Sequence, residues 1–157
     1  MTSRKFAAAV ALGAAFCIGS ATTAQAARCS FTVVTGVGFG NYNVFNPLAA
    51  LSNGTLQVTC TGVGRRGRAI TISLAKGNSP TYNRFMLNAA QQLNYNLYLD
   101  PALTMIWGDG TGGTSLFGPT VARNNVPVDA TIYGQVPAAQ DVPGGSYADT
   151  ITATVSY

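Results

Sequence analysis

Three patterns in this chain have residue types and spacing that could do chemistry. Gly62-Val63-Gly64-Arg65-Arg66-Gly67 fits the GxGxxG spacing and follows a strand-like run. A dinucleotide site needs a helix to open straight after that loop, because aligned N–H groups at a helix N-terminus hold the pyrophosphate. Here Ala69 to Leu74 follows with strand alternation, so the loop reads as a mobile hairpin connection. Its Arg65, Arg66 and Arg68 serve chiefly to keep a weakly charged protein soluble, and are candidate surface contacts for an acidic partner. Trp107-Gly108-Asp109-Gly110-Thr111-Gly112-Gly113 has the look of a calcium loop, but calcium needs several closely spaced oxygen ligands and one carboxylate is present. It reads as a Gly-rich turn with an aromatic anchor, and Trp107 joins the arginines as a candidate surface contact. No cofactor and no metal ion is expected.

The third pattern is cysteine. Cys17 lies inside an apolar run, Phe6 to Ile18, that follows Arg4 and Lys5 and is closed by small residues ending in Ala24-Gln25-Ala26. That order is a secretory signal, too short to span a bilayer, and it predicts residues 1–26 as a discarded leader before a mature domain at 27–157. Cys29 and Cys60 remain. Export to an oxidising compartment makes them a disulfide closing about 31 residues, worth roughly 3 to 4 kcal/mol in the chain-entropy account. A redox pair or two metal thiolates are the competing readings, without CxxC spacing or His to support them.

Composition narrows the function further. The 157 residues are 47% hydrophobic and 9% charged, against roughly 25% charged in ordinary soluble domains. There is no His and no Glu; acidity comes from Asp100, Asp109, Asp129, Asp141 and Asp149. General acid–base catalysis leans on His first, and without it the many Ser and Thr have no activating base. The chain is expected not to be an enzyme. Removing Arg4 and Lys5 with the leader lowers the formal charge from +4 to +2, too little for a nucleic-acid partner.

The elements that must carry these residues alternate with period two. Leu56, Val58 and Cys60 face opposite to Gln57 and Thr59; Ile70, Ile72 and Leu74 opposite to Thr71 and Ser73. Leu93 to Leu99, Val128 to Ile132 and, most regularly, Tyr147 to Tyr157 repeat the pattern. Half-buried antiparallel strands have this signature. Asn46-Pro47, Gly77 to Pro80, Asp100-Pro101, Gly108 to Gly113 and Pro143 to Gly145 punctuate them, and Asn53-Gly54 reads as a hairpin turn. Arg84 to Gln92 is the nearest approach to a helical period, short and uncapped. The expectation is one all-β domain, an antiparallel sandwich.

An ordered set of pieces adds to this: Cys29, Phe39-Gly40-x-Tyr42, Thr59-Cys60-Thr61, Tyr95-Asn96-Leu97-Tyr98-x-Asp100, the Trp107 to Gly113 loop, and a stretch from Tyr133-Gly134 through Val136-Pro137-Ala138-x-Gln140 to Tyr147-x-Asp149-Thr150. Together, from Cys29 to Tyr157, they closely resemble the spore coat protein U domain, which is shared with subunits of archaic chaperone–usher pili. The resemblance implies a secreted, non-enzymatic, immunoglobulin-like antiparallel β-sandwich that lacks its final strand. A periplasmic chaperone at an outer-membrane usher, and then a neighbouring pilin-like subunit, would supply that strand. Tyr147, Ile151, Ala153, Val155 and Tyr157 would then border the groove receiving it, and the protein would end at the cell surface, in a fimbrium or coat, with no stable membrane insertion.

One departure sets this chain apart. Shaft subunits of that kind carry an alternating apolar donor segment before the first cysteine, whereas Ala27-Arg28 alone separates the expected cleavage site from Cys29. The chain is expected to accept a strand without donating one, as a tip, terminal or stand-alone subunit. The competing reading is a secreted binding module using loops around Arg65, Trp107 and Tyr133 to contact carbohydrate or a host surface.

Overall fold

The computed structural model describes residues 26–157; all of the expected leader, 1–26, except Ala26, and with it Cys17, lies outside the described residues. Eight strands occur, with no helix among the described residues: β1 (Arg28–Thr35), β2 (Ala50–Thr61), β3 (Arg68–Leu74), β4 (Arg84–Asn88), β5 (Gln91–Tyr98), β6 (Phe117–Ala122), β7 (Val128–Val136) and β8 (Ala153–Ser156). They form an antiparallel sandwich, a five-stranded sheet in the order β1-β2-β7-β5-β4 facing a three-stranded sheet in the order β6-β3-β8.

The alternation in β2, β3, β5 and β7 sets the core. Leu56, Val58, Ile70, Ile72, Leu74, Leu93, Leu97, Ala130, Ile132 and Val136 are buried between the sheets, while their Thr, Asn and Gln neighbours face out. Cys29 and Cys60 stand directly opposite one another in the β1–β2 ladder, Cα atoms 4.0 Å apart, and are bonded. The bond ties the first strand of the five-stranded sheet to its long second strand.

Four local expectations give way to packing. Asn53-Gly54 is no turn: it lies inside β2, opposite Tyr133 and Ile132. A Cβ on Gly54 would sit 2.6 Å from the Thr35 carbonyl oxygen, and one on Gly134 in the neighbouring strand would meet Val37 and Phe39 at 2.5 and 2.9 Å. The two glycines form the shelf on which the β1–β2 connection seats Val37 and Phe39 in the interior, so a close backbone approach, not a bend, requires glycine here. The Gly62–Gly67 loop is no hairpin, because β2 and β3 belong to different sheets and the loop crosses between them. Arg84 to Gln92 is the β4–β5 hairpin, turning at Ala89-Ala90 with Ala89 at φ 50°. The run Tyr147 to Tyr157 keeps its alternating burial as far as Val155, yet only Ala153–Ser156 is strand. Before it, Ala148 bridges to Leu87 of β4, so this segment leaves one sheet and joins the other.

Two pieces of the family-like pattern meet in space. The Tyr42 hydroxyl donates to the Pro137 carbonyl at 2.9 Å and accepts from the Gln140 amide N–H at 2.9 Å. Gln140 in turn pairs its side-chain amide with the backbone of Asn94, at 2.7 and 2.9 Å. The long β1–β2 connection is thereby pinned to the segment that follows β7.

Candidate groove between two unpaired strand edges

Strand order leaves a gap with a definite place. Among the described residues β1 is hydrogen-bonded to β2 alone, and β8 to β3 alone, so each ends its sheet there. Between these two edges opens a cavity of about 520 Å³. Its β1 wall is Phe31, Val34, Thr35 and Gly36; its opposite wall is Tyr147 to Asp149, Ile151 and Ala153. The floor is the sandwich core itself: Leu56, Leu74, Leu97 and Ile132 line it, although each is at most 6% exposed. A second cavity of about 860 Å³ continues past Val37, Phe39, Met86 and Tyr147, which line both, towards Val142 and Val44.

The cleft is apolar with one polar end. There Asp149 accepts hydrogen bonds from the Tyr95 hydroxyl at 2.7 Å, the Asn78 amide at 2.9 Å and the Thr150 amide at 2.7 Å. The Tyr95 ring packs edge-on against Phe39, centroids 5.9 Å apart. Burial, and then the Asp149 carboxylate beside it, raise the Tyr95 phenol above its ordinary value. A folded-state value above the unfolded one means the contribution is intact below about pH 10 and lost as pH rises beyond it. Urea unfolding in a pH series from roughly 9 to 11 should show stability falling less steeply in Tyr95→Phe than in the parent. Parallel slopes would refute this assignment, since Tyr82 and Tyr98, whose phenols burial also raises, are common to both proteins.

Of the residues expected at a groove, Tyr147, Ile151 and Ala153 line the cleft. Val155 lies further along β8, half-buried against the core opposite Ile72, and Tyr157 stands 46% exposed beyond the strand. The β1 wall escaped the sequence reading because a bulge between Phe31 and Val33 breaks the alternation there. Trp107 is corrected outright. It is fully buried, its indole N–H donating to the Ile72 carbonyl at 2.9 Å and its ring stacked near Phe117, so it contacts no partner surface. Arg65, Arg66 and Arg68 are exposed, and lie at the end of the sandwich rather than in the cleft.

Comparison with known proteins follows the same lines. The model of the Spore Coat Protein U domain matches residues 15–154, beginning inside the segment read as a leader. Protein U of Myxococcus xanthus is 33% identical over 146 aligned positions, covering 82% of this chain and 77% of that protein. Among solved structures, the chaperone–tip adhesion subunit pre-assembly complex CsuC–CsuE, from the archaic chaperone–usher Csu pili of Acinetobacter baumannii, superposes with a TM-score of 0.57 at 19% identity. That match covers 84% of this chain and 40% of the solved chain, so the present sequence spans less than half of its length.

Proposed function

The chain belongs to the spore coat protein U domain family, and from that premise we propose that it is a secreted, non-enzymatic subunit of a surface pilus or coat, completed by a strand from another polypeptide. The observation that carries the proposal is the pair of unpaired edges, β1 and β8, flanking a cleft floored by core leucines. Exposed strand edges over apolar surface are templates for pairing, and strand addition supplies affinity through the backbone and specificity through alternate side chains. Because β1 and β8 run in opposite directions, an inserted strand would make an antiparallel ladder with one and a parallel ladder with the other.

Its expected partners are a periplasmic chaperone, an outer-membrane usher and neighbouring subunits, as the chaperone-bound state of the solved neighbour suggests. Tyr147, Ile151 and Ala153 would touch the incoming strand, with Val155 and Tyr157 at its far end. On this reading residues 1–26 direct export and 27–157 form the mature domain. The stretch before Cys29 carries no large apolar side chain after Ala21, which supports an acceptor at a fibre end or a stand-alone coat subunit. The competing binding-module reading loses Trp107 to the core.

Co-expression with a tagged periplasmic chaperone of the chaperone–usher class tests the proposal. A one-to-one complex should form and raise soluble yield, and Ile151→Asp should abolish both. Equal yield of a stable monomer without the chaperone would overturn the reading.

A further inference from the structure

Outside the cleft, one end of the sandwich gathers positive charge. Arg28 opens β1 opposite Thr61, the last residue of β2; Arg65 and Arg66 lie on the connection that follows; Arg68 opens β3 opposite Ala122, the end of β6; and Arg123 comes next in the chain. Three separate stretches thus bring five of the seven cationic residues at 26–157 to one pole, all of them exposed. Arg65 and Arg123 line one recess there, of about 610 Å³, with Gly62, Val63, Gly64 and Asn124. The remaining two cations are elsewhere, Lys76 over the Tyr82 ring and Arg84 in the interior. Of the five aspartates, Asp100 and Asp109 accept hydrogen bonds within their own turns, Asp149 lies at the cleft, and Asp141 follows the far end of β7; Asp129 is the nearest to the pole, opposite Gln57 in β2 and accepting from its side-chain amide at 2.9 Å.

We propose that this pole binds an acidic polysaccharide, a chain bearing carboxylate or sulfate groups at regular intervals. Guanidinium groups pair with such anions through two parallel N–H donors and cannot be neutralised at any physiological pH. Five of them spread over a pole suit a repeating charge better than a single small anion, which would occupy one or two. The recess adds Asn124 and, at Gly64, where an added Cβ would meet nothing, a backbone that a sugar can approach closely. Among the described residues no aromatic ring lines it, and they supply none of the base-stacking platform typical of single-strand nucleic-acid sites. The pole stands apart from the cleft, and the inference does not depend on strand complementation.

Titration of the purified chain with polygalacturonate and with heparin at about 0.15 M salt tests this, since weak long-range attraction is largely screened there. Arg65→Gln/Arg123→Gln should weaken binding roughly tenfold or more and flatten its salt dependence. Arg66→Gln/Arg68→Gln should do so independently, with thermal melts verifying that each variant folds. Lys76→Gln, which removes one charge away from the pole, should bind as the parent does. An equal loss in Lys76→Gln, unchanged binding in both arginine doubles, equal binding to neutral dextran, or tighter binding to duplex DNA than to either polysaccharide would each overturn the assignment.

Discussion

Trp107→Ala is expected to remove about 4 kcal/mol of folding stability, a large share of the 5–15 kcal/mol typical of a domain. The reason is where the residue sits. Its backbone N–H donates to Leu97 of the five-stranded sheet at 2.9 Å, while its indole N–H donates to Ile72 of the three-stranded sheet at 2.9 Å. Its carbonyl accepts from the buried guanidinium of Arg84 at 2.7 Å, and that guanidinium also donates to the Ala75 carbonyl and the Asn96 side chain. One residue therefore joins both sheets and organises a buried cation. Truncation opens a cavity the size of an indole and leaves the Ile72 carbonyl without this donor. Trp107→Phe separates the two terms. It keeps most of the apolar volume and loses the N–H, so a cost of about 1 to 2 kcal/mol is expected. Urea unfolding of the three proteins measures both, and a Trp107→Ala loss under 1 kcal/mol would remove Trp107 from this role.

The same residue marks how far the sequence could be read. β2, β3, β5 and β7 were legible because each is buried on one face and solvated on the other, which forces apolar residues to every second position. β1 was not, since its bulge shifts the inward set by one. Asn53-Gly54 was misleading for a related reason. Local turn chemistry favoured a bend, but the close approach of the Thr35 carbonyl and Val37 needed a residue without a side chain at Gly54, and packing won. Trp107 was ambiguous because an aromatic beside glycines suits both a surface loop and an anchored one, and burial alone decides between them. Arg84 had no sequence signal at all. A cation at 1% exposure is sustained by carbonyls from the loop after β3 and from Trp107, partners that come together only in the folded chain. The cleft was half legible: the regular final segment announced its β8 wall, and nothing announced that Tyr147 to Ile151 changes sheets on the way.

That change of sheets leaves β8 short and open, and it sets the terms of the strongest test of the cleft. Continuing the chain past Tyr157 with an Asn-Gly turn and an alternating strand of about seven residues would lay that strand antiparallel to β8 and parallel to β1. Four inward side chains contribute roughly 1.5–3 kcal/mol each. Ladder bonds on both sides add about 1 kcal/mol apiece, against an ordering cost of about 1–2 kcal/mol per residue. With about one ladder bond per strand residue and the two turn residues also ordered, the mid-range balance is a gain of about 2–3 kcal/mol, or a melting temperature higher by roughly 8 °C. The control shifts the inserted pattern by one residue, which turns every apolar side chain to solvent while leaving composition and length unchanged. Thermal unfolding should show the gain in the first extension and none in the second. If both extensions stabilise equally, the added strand is not reading the cleft floor formed by Leu56, Leu74, Leu97 and Ile132; if neither does, the two open edges are not waiting for a strand. A gain confined to the in-register version would mean that the side chains of the guest, and not merely its backbone, complete the core.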